Sequence, residues 1–181
     1  DLKNYNSTKS IYNLNFIIFY SKFVTPLIAS LFGRIKKVII LDCDNTLWNG
    51  VVGEKKINFS RYDKVGKYFY NAQKTFKILS KIGAIICLCS KNNYRDVNNV
   101  LKKNKKDLIS SKDILIKKIN WSDKVDNIIQ ISKDLNLGLE SFIFLDDSKF
   151  EIELVKKYLP KVSCFQVPRN LKNYSDILFE I

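Results

Sequence analysis

Short apolar runs alternate with longer segments of helical periodicity along most of the chain. The apolar runs are rich in β-branched residues, which is typical of the buried strands of a parallel sheet. They lie at 37–42, 84–89, 109–116, 142–145 and 162–167. Apolar positions at helical spacing predict helices at 62–82, 94–103, 123–135, 149–158 and 170–181. This alternation predicts an α/β fold, with a parallel sheet and helices on both of its faces.

Turn and cap residues mark the ends of these elements. Gly83 is a plausible C-cap for the first of these helices, and Ser122 is the predicted N-cap of the third. Residues 47–59, LWNGVVGEKKINF, carry two glycines among β-prone residues and predict a short hairpin or flap. The interval from Leu47 to Ser90 has room for this flap and one helix, but not for a further folded domain. The predicted domain is therefore capless, in the sense that no second domain covers this part of the sheet edge, and an open edge suits a large or protein-borne substrate.

The most apolar stretch, residues 14–32, has about the length that a membrane span needs. Polar residues and Pro26 interrupt it, so we expect a partly helical segment that is broken at Pro26 and packs on the domain or on an N-terminal partner. A membrane-surface helix is the alternative. Since the chain contains no Met, we interpret residues 1–33 as the remnant of a longer N-terminal region and residues 34–181 as the folded domain.

The composition limits the classes of partner and chemistry. Lys and Arg number 31 against 18 Asp and Glu, a net charge of +13. The lysines are spread over nearly every predicted helix, so they indicate a solvated surface and no nucleic-acid partner, although the charge favours acidic partners and phosphorylated substrates. The chain contains no His, which excludes His-based triads and HExxH metal sites.

The four cysteines lie in or beside predicted strands, and no CxxC motif occurs. This pattern favours small buried thiols in a reducing compartment over a disulfide framework, and so a cytoplasmic protein. Cys43 lies between two aspartates, and one interpretation is that its thiol forms an acyl thioester. Because neighbouring strand residues face opposite sides, we expect its side chain to point away from both carboxylates. Trp48 and Trp121 are expected to be packing residues.

Polar side chains follow three of the predicted strands, and a lysine opens the helix before the last of these strands. These residues are Asp42, Asp44, Ser90, Lys124, Asp146 and Asp147. Parallel strands share one carboxyl edge, so the side chains can converge there. The alternatives are a turn-forming or helix-capping cluster at 42–46 and a solvated lysine at 124.

The grouping suits phosphoryl chemistry. Asp42 and Asp146 would bind Mg²⁺, which prefers hard oxygen ligands. Asp42 could attack phosphorus as a nucleophile, while Asp44 protonates the leaving oxygen and then activates water. Ser90 and Lys124 could hold the phosphoryl oxygens.

Near them, Lys91 could bind anions or be a solvated lysine, and Asn92 could bind substrate or start the next helix. We include both among the candidate substrate-binding residues.

The order of these motifs resembles the haloacid dehalogenase (HAD) superfamily, whose four motifs are similar to DCDNT (42–46), Ser90, Lys124 and LDD (145–147). Further segments resemble the FkbH-like branch, subfamily IIIC of the HAD phosphatases, over residues 34–175. These are DNTLWNGVVGE, CSKNN, NWSDK, LNLGLESFIFLDD and ELVKKYLP. The chain departs from that pattern at Asn93, where Asp is common, and at Ser148-Lys149, where Asn-Pro is common.

The resemblance implies a Rossmann-like HAD core and a role for each motif residue. It implies that Asp42 is the nucleophile and that Asp44 is the acid/base. It also implies that Thr46 and Ser90 supply hydroxyls to the phosphate site and that Lys124 stabilises the charge. It implies a Mg²⁺ site in which Asp42, the backbone carbonyl of Asp44 and Asp146 bind the metal, while Asp147 holds the metal waters or Lys124.

Similar enzymes take a glyceryl group from 1,3-bisphosphoglycerate, remove phosphate and load the glyceryl group on an acyl carrier protein. The resemblance therefore implies a phosphatase and acyltransferase with a phosphorylated small-molecule substrate and an acyl carrier protein as partner. The alternatives are a phosphoester hydrolase without acyl transfer, and a non-catalytic module that docks a partner through residues 14–32.

Overall fold

The chain consists of two units, Asp1–Ile35 and Lys36–Ile181. The structure is a computed structural model that describes residues 12–31, 36–54, 57–104 and 107–180. In the first unit, helix α1 (Leu14–Leu31) runs through Pro26 without interruption. The expected break at Pro26 is therefore wrong, because a proline within a helix can be accommodated by a kink without ending the helix. Among the described helices, none is long and apolar enough to cross a membrane.

The second unit is built on a five-stranded parallel sheet. Its strands are β1 (Val38–Leu41), β2 (Ile85–Ser90), β3 (Ile114–Ile119), β4 (Phe142–Asp146) and β5 (Ser163–Gln166). The strand order in space is β3-β2-β1-β4-β5, and all neighbours are parallel. The chain thus winds outward from β1 in both directions, which leaves a crevice beyond the carboxyl ends of β1, β2 and β4.

Helices cover both faces of this sheet. They are α2 (Gly66–Lys81), α3 (Tyr94–Lys103), α4 (Lys124–Leu135), α5 (Lys149–Tyr158) and α6 (Tyr174–Glu180). Ile39 and Leu41 of β1 belong to a core with residues of α2, α3 and α6, whereas Val38 and Ile40 belong to a second core with residues of α4 and α5. The alternation of β1 side chains between two apolar cores explains why the strand is apolar at every position.

The predicted fold class is confirmed, and most predicted elements lie within one or two residues of the observed ones. Strand β3 begins later than expected because Ser110 and Asp113 form a capping box that turns the chain before Ile114. The N-cap of α4 is Asp123, not Ser122. The Ser122 amide donates to Asn120 Oδ1 at 3.0 Å, so Ser122 belongs to the turn before the helix.

A short flap follows β1. The backbones of Asn49 and Asn58 exchange two hydrogen bonds of 2.9 Å, which form one antiparallel bridge at its base. Between β1 and α2 the described residues contain no helix and no strand. In the part of this interval that the structure describes, a flap and no inserted domain lies beside the sheet edge, as the sequence predicts.

Candidate active site

The carboxyl edge of the sheet brings the predicted motif residues together. Asp42 follows β1, and its amide donates to the Leu145 carbonyl of β4 at 3.0 Å. Ser90 ends β2 and Asp146 ends β4. These pairings hold the ends of three adjacent strands in register, so their terminal side chains face the same crevice.

Lys124, the first residue of α4, joins two of these strand ends. Its Nζ donates to Asp42 Oδ1 at 2.7 Å and to Asp146 Oδ2 at 2.5 Å. Only 4% of Lys124 is exposed, against 5% of Asp42 and 0% of Asp146. The lysine is therefore a buried partner of two carboxylates and not a solvated helix residue.

A third carboxylate completes an acidic cluster. One oxygen each from Asp42, Asp146 and Asp147 lies within 4.8 Å of the others. Two buried carboxylates, Asp42 and Asp146, face one ammonium group, and a buried excess of negative charge is costly without a further cation. The oxygen donors and the uncompensated charge fit a hard divalent cation such as Mg²⁺.

Burial and crowding shift the titration of this cluster. Burial is the largest effect on Asp42 and outweighs the attraction of Lys124, which raises the pKa of Asp42 to about 6. Burial likewise raises the pKa of Asp146. Burial would lower the pKa of Lys124, but Asp42 and Asp146 together raise it above its usual value. The lysine is thus firmly protonated, whereas the carboxylates need more positive charge than it supplies.

We expect the metal-free protein to lose stability through Asp42 as the pH rises from about 4 to about 6. Between the unfolded pKa of 3.8 and the folded pKa of about 6, the folded state holds a proton that the unfolded state has released. Folding then takes up a proton, so rising pH disfavours it, by on the order of 1–3 kcal/mol. Urea unfolding in EDTA at several pH values, compared with Asp42→Asn, isolates this effect. If the free energy of unfolding of the wild type rose relative to that of Asp42→Asn between about pH 4 and about pH 6, the expectation would be contradicted.

Asp44 is held away from the acidic cluster by three N–H donors. Its Oδ1 accepts from Trp48 Nε1 at 2.8 Å and from the flap amide of Val52 at 3.1 Å, and its Oδ2 accepts from Asn92 Nδ2 at 2.7 Å. The Asp44 side chain is thus not among the clustered carboxylates, so only its backbone carbonyl remains a candidate metal ligand. A fixed carboxylate two residues from Asp42 fits the predicted acid/base role.

Two buried hydroxyls lie at this edge. Thr46 is fully buried, and its Oγ1 has no hydrogen-bond partner among the described residues. Ser90 is 2% exposed, and its side chain opposes, without cancelling, the effect of burial on the pKa of Asp42. An unpartnered buried hydroxyl is unusual, and a bound anion would satisfy it. The predicted phosphate-binding roles of both residues stay predictions.

Lys91 and the two asparagines after it have protein partners. Lys91 Nζ lies 2.9 Å from Glu151 Oε1 and 3.8 Å from Asp123 Oδ1, so its charge is largely compensated. Asn93 is the N-cap of α3, its side chain accepting from the Arg95 amide. Asn92 is buried against Asp44. The predicted substrate contacts of Lys91 and Asn92 stay predictions, and these protein contacts compete with them.

The Cys43 thiol is fully buried in the core that contains Ile39 and Leu41. Burial, followed by the charge of Asp42, raises the pKa of Cys43 well above its usual value. A buried neutral thiol is a poor nucleophile.

We therefore expect Cys43→Ala to keep its activity within about twofold and to lose about 1 kcal/mol of stability, because only a small cavity forms. Phosphate release and chemical unfolding measure the two effects. A variant that released phosphate but could no longer acylate a carrier would instead favour the thioester alternative.

The two tryptophans behave differently. Trp48 is fully buried, as expected, and its indole also donates to Asp44. Trp121 is 77% exposed, so the expectation that it packs in the core is wrong. It lies in the turn that the Asn120–Ser122 hydrogen bond forms, between β3 and α4, and this turn directs it outward.

Sequence reasoning missed two residues that hold the DCDNT segment. Asn45 has a left-handed backbone (φ 51°), and its Oδ1 accepts from the Gly50 amide at 2.9 Å. Tyr174 of α6 donates its hydroxyl to the Thr46 carbonyl at 2.9 Å. An Asn beside a strand end is a usable signal for a left-handed turn, but no local pattern links residue 174 to residue 46.

The strand order, the two aspartates after the central strand and the buried lysine at the start of α4 can now be compared with known proteins. The chain has the α/β fold of HAD-family phosphatase structures. No protein-family model matches the chain, and no curated protein sequence is significantly similar to it.

Solved structures do match. The N-terminal part of the protein BF1531 from Bacteroides fragilis, which contains a phosphatase domain complexed with Mg, is 35% identical over 99% of this chain, with a TM-score of 0.81. The chain spans about half (48%) of that structure.

Two further structures show the fold. The magnesium complex of HAD family enzyme BT-2542 from Bacteroides thetaiotaomicron is 13% identical over 80% of this chain and 98% of its own, with a TM-score of 0.54. The cobalt-bound deoxy-D-mannose-octulosonate 8-phosphate phosphatase (YrbI) from Haemophilus influenzae is 15% identical over 81% of this chain and 85% of its own, with a TM-score of 0.51.

Proposed function

We propose that this chain is a Mg²⁺-dependent phosphatase of the HAD type. The observation that carries the proposal is Lys124, buried between Asp42 and Asp146 at the carboxyl edge of the sheet. The 35% identity with a phosphatase domain complexed with Mg supports it. Asp42, Asp146, Asp147 and the Asp44 carbonyl would hold Mg²⁺, which would offset the negative charge of the phosphoryl group.

The residues at this edge supply the two halves of hydrolysis. An Asp42 carboxylate oxygen attacks phosphorus while the phosphorus–oxygen bond to the leaving group breaks, and Asp44 gives its proton to the leaving oxygen. Asp44 then takes a proton from water, which attacks phosphorus and breaks the bond to Asp42. Inorganic phosphate leaves and the Asp42 carboxylate is restored. Lys124 stays charged throughout and offsets the charge on the phosphoryl oxygens.

The finer proposal is an FkbH-like enzyme that uses a phosphorylated three-carbon acyl donor, 1,3-bisphosphoglycerate, and an acyl carrier protein. In that reaction the carrier thiol attacks the acyl carbon, a carbon–sulfur bond forms, the carbon–oxygen bond to the acyl phosphate breaks, and inorganic phosphate leaves with the thiol proton. Hydrolysis of the remaining phosphate ester by the steps above then leaves a glyceryl group on the carrier. The motif series that resembles that branch supports this proposal, as does a sheet edge beside which the described residues between β1 and α2 form only a flap. The net charge of +13 favours an acidic carrier.

The test follows phosphate release and carrier mass in the same tubes, with Mg²⁺ or EDTA. The substrates are phenyl phosphate alone and 1,3-bisphosphoglycerate with or without a phosphopantetheinylated carrier protein. Release from phenyl phosphate that needs Mg²⁺ supports the phosphatase, and no release would overturn it. A carrier mass gain equal to a glyceryl group supports the finer proposal. Phosphate release at the same rate with and without the carrier protein favours the simple hydrolase. The spontaneous breakdown of the acyl phosphate is first subtracted.

A further inference from the structure

The acid/base aspartate of the proposed reaction has neighbours that determine where its proton can sit. An ionised carboxylate offers about four lone-pair sites, two on each oxygen. Asp44 Oδ1 accepts from two donors, Trp48 Nε1 at 2.8 Å and the Val52 amide at 3.1 Å. Asp44 Oδ2 accepts from one, Asn92 Nδ2 at 2.7 Å. The lone-pair site that stays open among the described contacts is therefore on Oδ2.

The orientation of the Asn92 amide is itself determined. Its Oδ1 accepts from the Asn93 backbone amide at 3.0 Å, so the other end of the group, Nδ2, must face Asp44. Asn92 is 7% exposed, which keeps water from replacing this contact. It comes from the turn after β2, whereas Trp48 and Val52 come from the segment after β1. Asn92 is thus the contact that ties Asp44 to a second strand.

We infer that Asn92 is a positioning residue that holds Asp44 so that the proton for the leaving group is carried on Oδ2. This inference rests on the proposed function, and it differs from the substrate-binding role that the sequence suggests for Asn92. Without the Nδ2 donor, the Asp44 carboxylate can rotate about its two remaining contacts, and Oδ2 loses its fixed direction. Proton delivery then fails more than phosphate binding does.

This role predicts an effect that depends on the leaving group. Phenol, like the tyrosine side chain, has a pKa of about 10, so phenolate leaves poorly unless it is protonated. 2,4-Dinitrophenolate is stable without a proton. We compare kcat/KM for phenyl phosphate with kcat/KM for 2,4-dinitrophenyl phosphate. The parameter kcat/KM reports the steps up to the loss of the first product, which is the phenol.

In Asn92→Leu, which is similar in size but has no donor, kcat/KM should fall at least about tenfold further on phenyl phosphate than on the dinitrophenyl ester. Asn93→Ala is the matched control, because it disturbs the same helix start without contacting Asp44 and should change both esters equally. Equal losses on the two esters in Asn92→Leu would show a merely structural role and overturn the inference.

A spectroscopic readout separates this inference from the proposed function. The chain has two tryptophans, so an amide correlation spectrum contains two indole N–H signals. Trp48 donates to Asp44, and the exposed Trp121 serves as an internal reference. In Asn92→Leu the Trp48 signal should shift and its hydrogen exchange should accelerate, while the Trp121 signal stays in place.

If the wild type hydrolysed neither ester, the proposed function would have failed and this spectrum alone would decide the inference. A shifted Trp48 signal would then support the positioning of Asp44 by Asn92, and an unchanged Trp48 signal would overturn it.

Discussion

Asp42→Asn should lower Mg²⁺-dependent phosphate release by about 10³-fold or more, because an amide cannot replace a carboxylate nucleophile. The fold should remain. The buried carboxylate is destabilised by desolvation, and a neutral amide of the same shape avoids that cost, while Lys124 keeps its 2.5 Å contact with Asp146. We therefore expect unchanged or slightly higher stability in EDTA. Initial rates with Mg²⁺ and thermal unfolding of the same preparations measure both effects.

Asp113→Asn is the matched control for this variant. Asp113 forms an ion pair of 2.5 Å with Lys77, outside the acidic cluster, and both side chains are 15% exposed. Its loss should cost about 1 kcal/mol of stability and leave turnover unchanged. Substantial turnover in Asp42→Asn would refute a covalent role for Asp42, whereas inactivity in both variants would point to a general effect on folding.

Lys124→Met should be the most destabilising single change at the site. It leaves Asp42 and Asp146 buried without the cation that contacts both, and breaking a buried pair in this way costs about 3–5 kcal/mol. For a chain of this size, that corresponds to a fall in Tm of roughly 10 °C or more in EDTA. Mg²⁺ should restore much of the lost stability, because the carboxylates of Asp42 and Asp146 can then bind the metal cation in place of the missing ammonium group. Turnover should stay low, since no ammonium group offsets the phosphoryl charge.

Lys77→Met controls for the loss of a lysine elsewhere. Its carboxylate partner is Asp113, which is not part of the acidic cluster, so the smaller loss of Tm should be the same with Mg²⁺ and with EDTA. Thermal unfolding of the wild type and both variants over a Mg²⁺ titration gives the comparison. If Mg²⁺ raised the Tm of Lys124→Met no more than that of Lys77→Met, the acidic cluster would not be the metal site.

Much of the site could be predicted because it depends on strand ends. Asp42, Ser90 and Asp146 each follow an apolar run, and in a parallel sheet such ends meet at one edge. The same rule says nothing about side chains that meet across loops. Asn92 lies 48 positions from Asp44, and Lys91 lies 60 from Glu151, so their protein partners could not be inferred from local pattern.

The errors have similarly local causes. Trp121 is as apolar as a core residue, but a hydrogen-bonded turn places it outside the sheet. Strand β3 starts late because a capping box, which competes with extended backbone, occupies the residues before it. In both places the side-chain hydrogen bonds of polar residues overrode a hydrophobic signal.

The hydrogen bond from Tyr174 to the Thr46 carbonyl joins residues 128 positions apart. During synthesis, the DCDNT segment leaves the ribosome long before Tyr174 does. Because synthesis adds about 5–20 residues per second, the interval between them lasts many seconds. Over that time the fully buried Tyr174 is not there to complete the core around Thr46. The site should therefore be among the last parts of the domain to become rigid, and a nascent chain should stay inactive until α6 has emerged and docked.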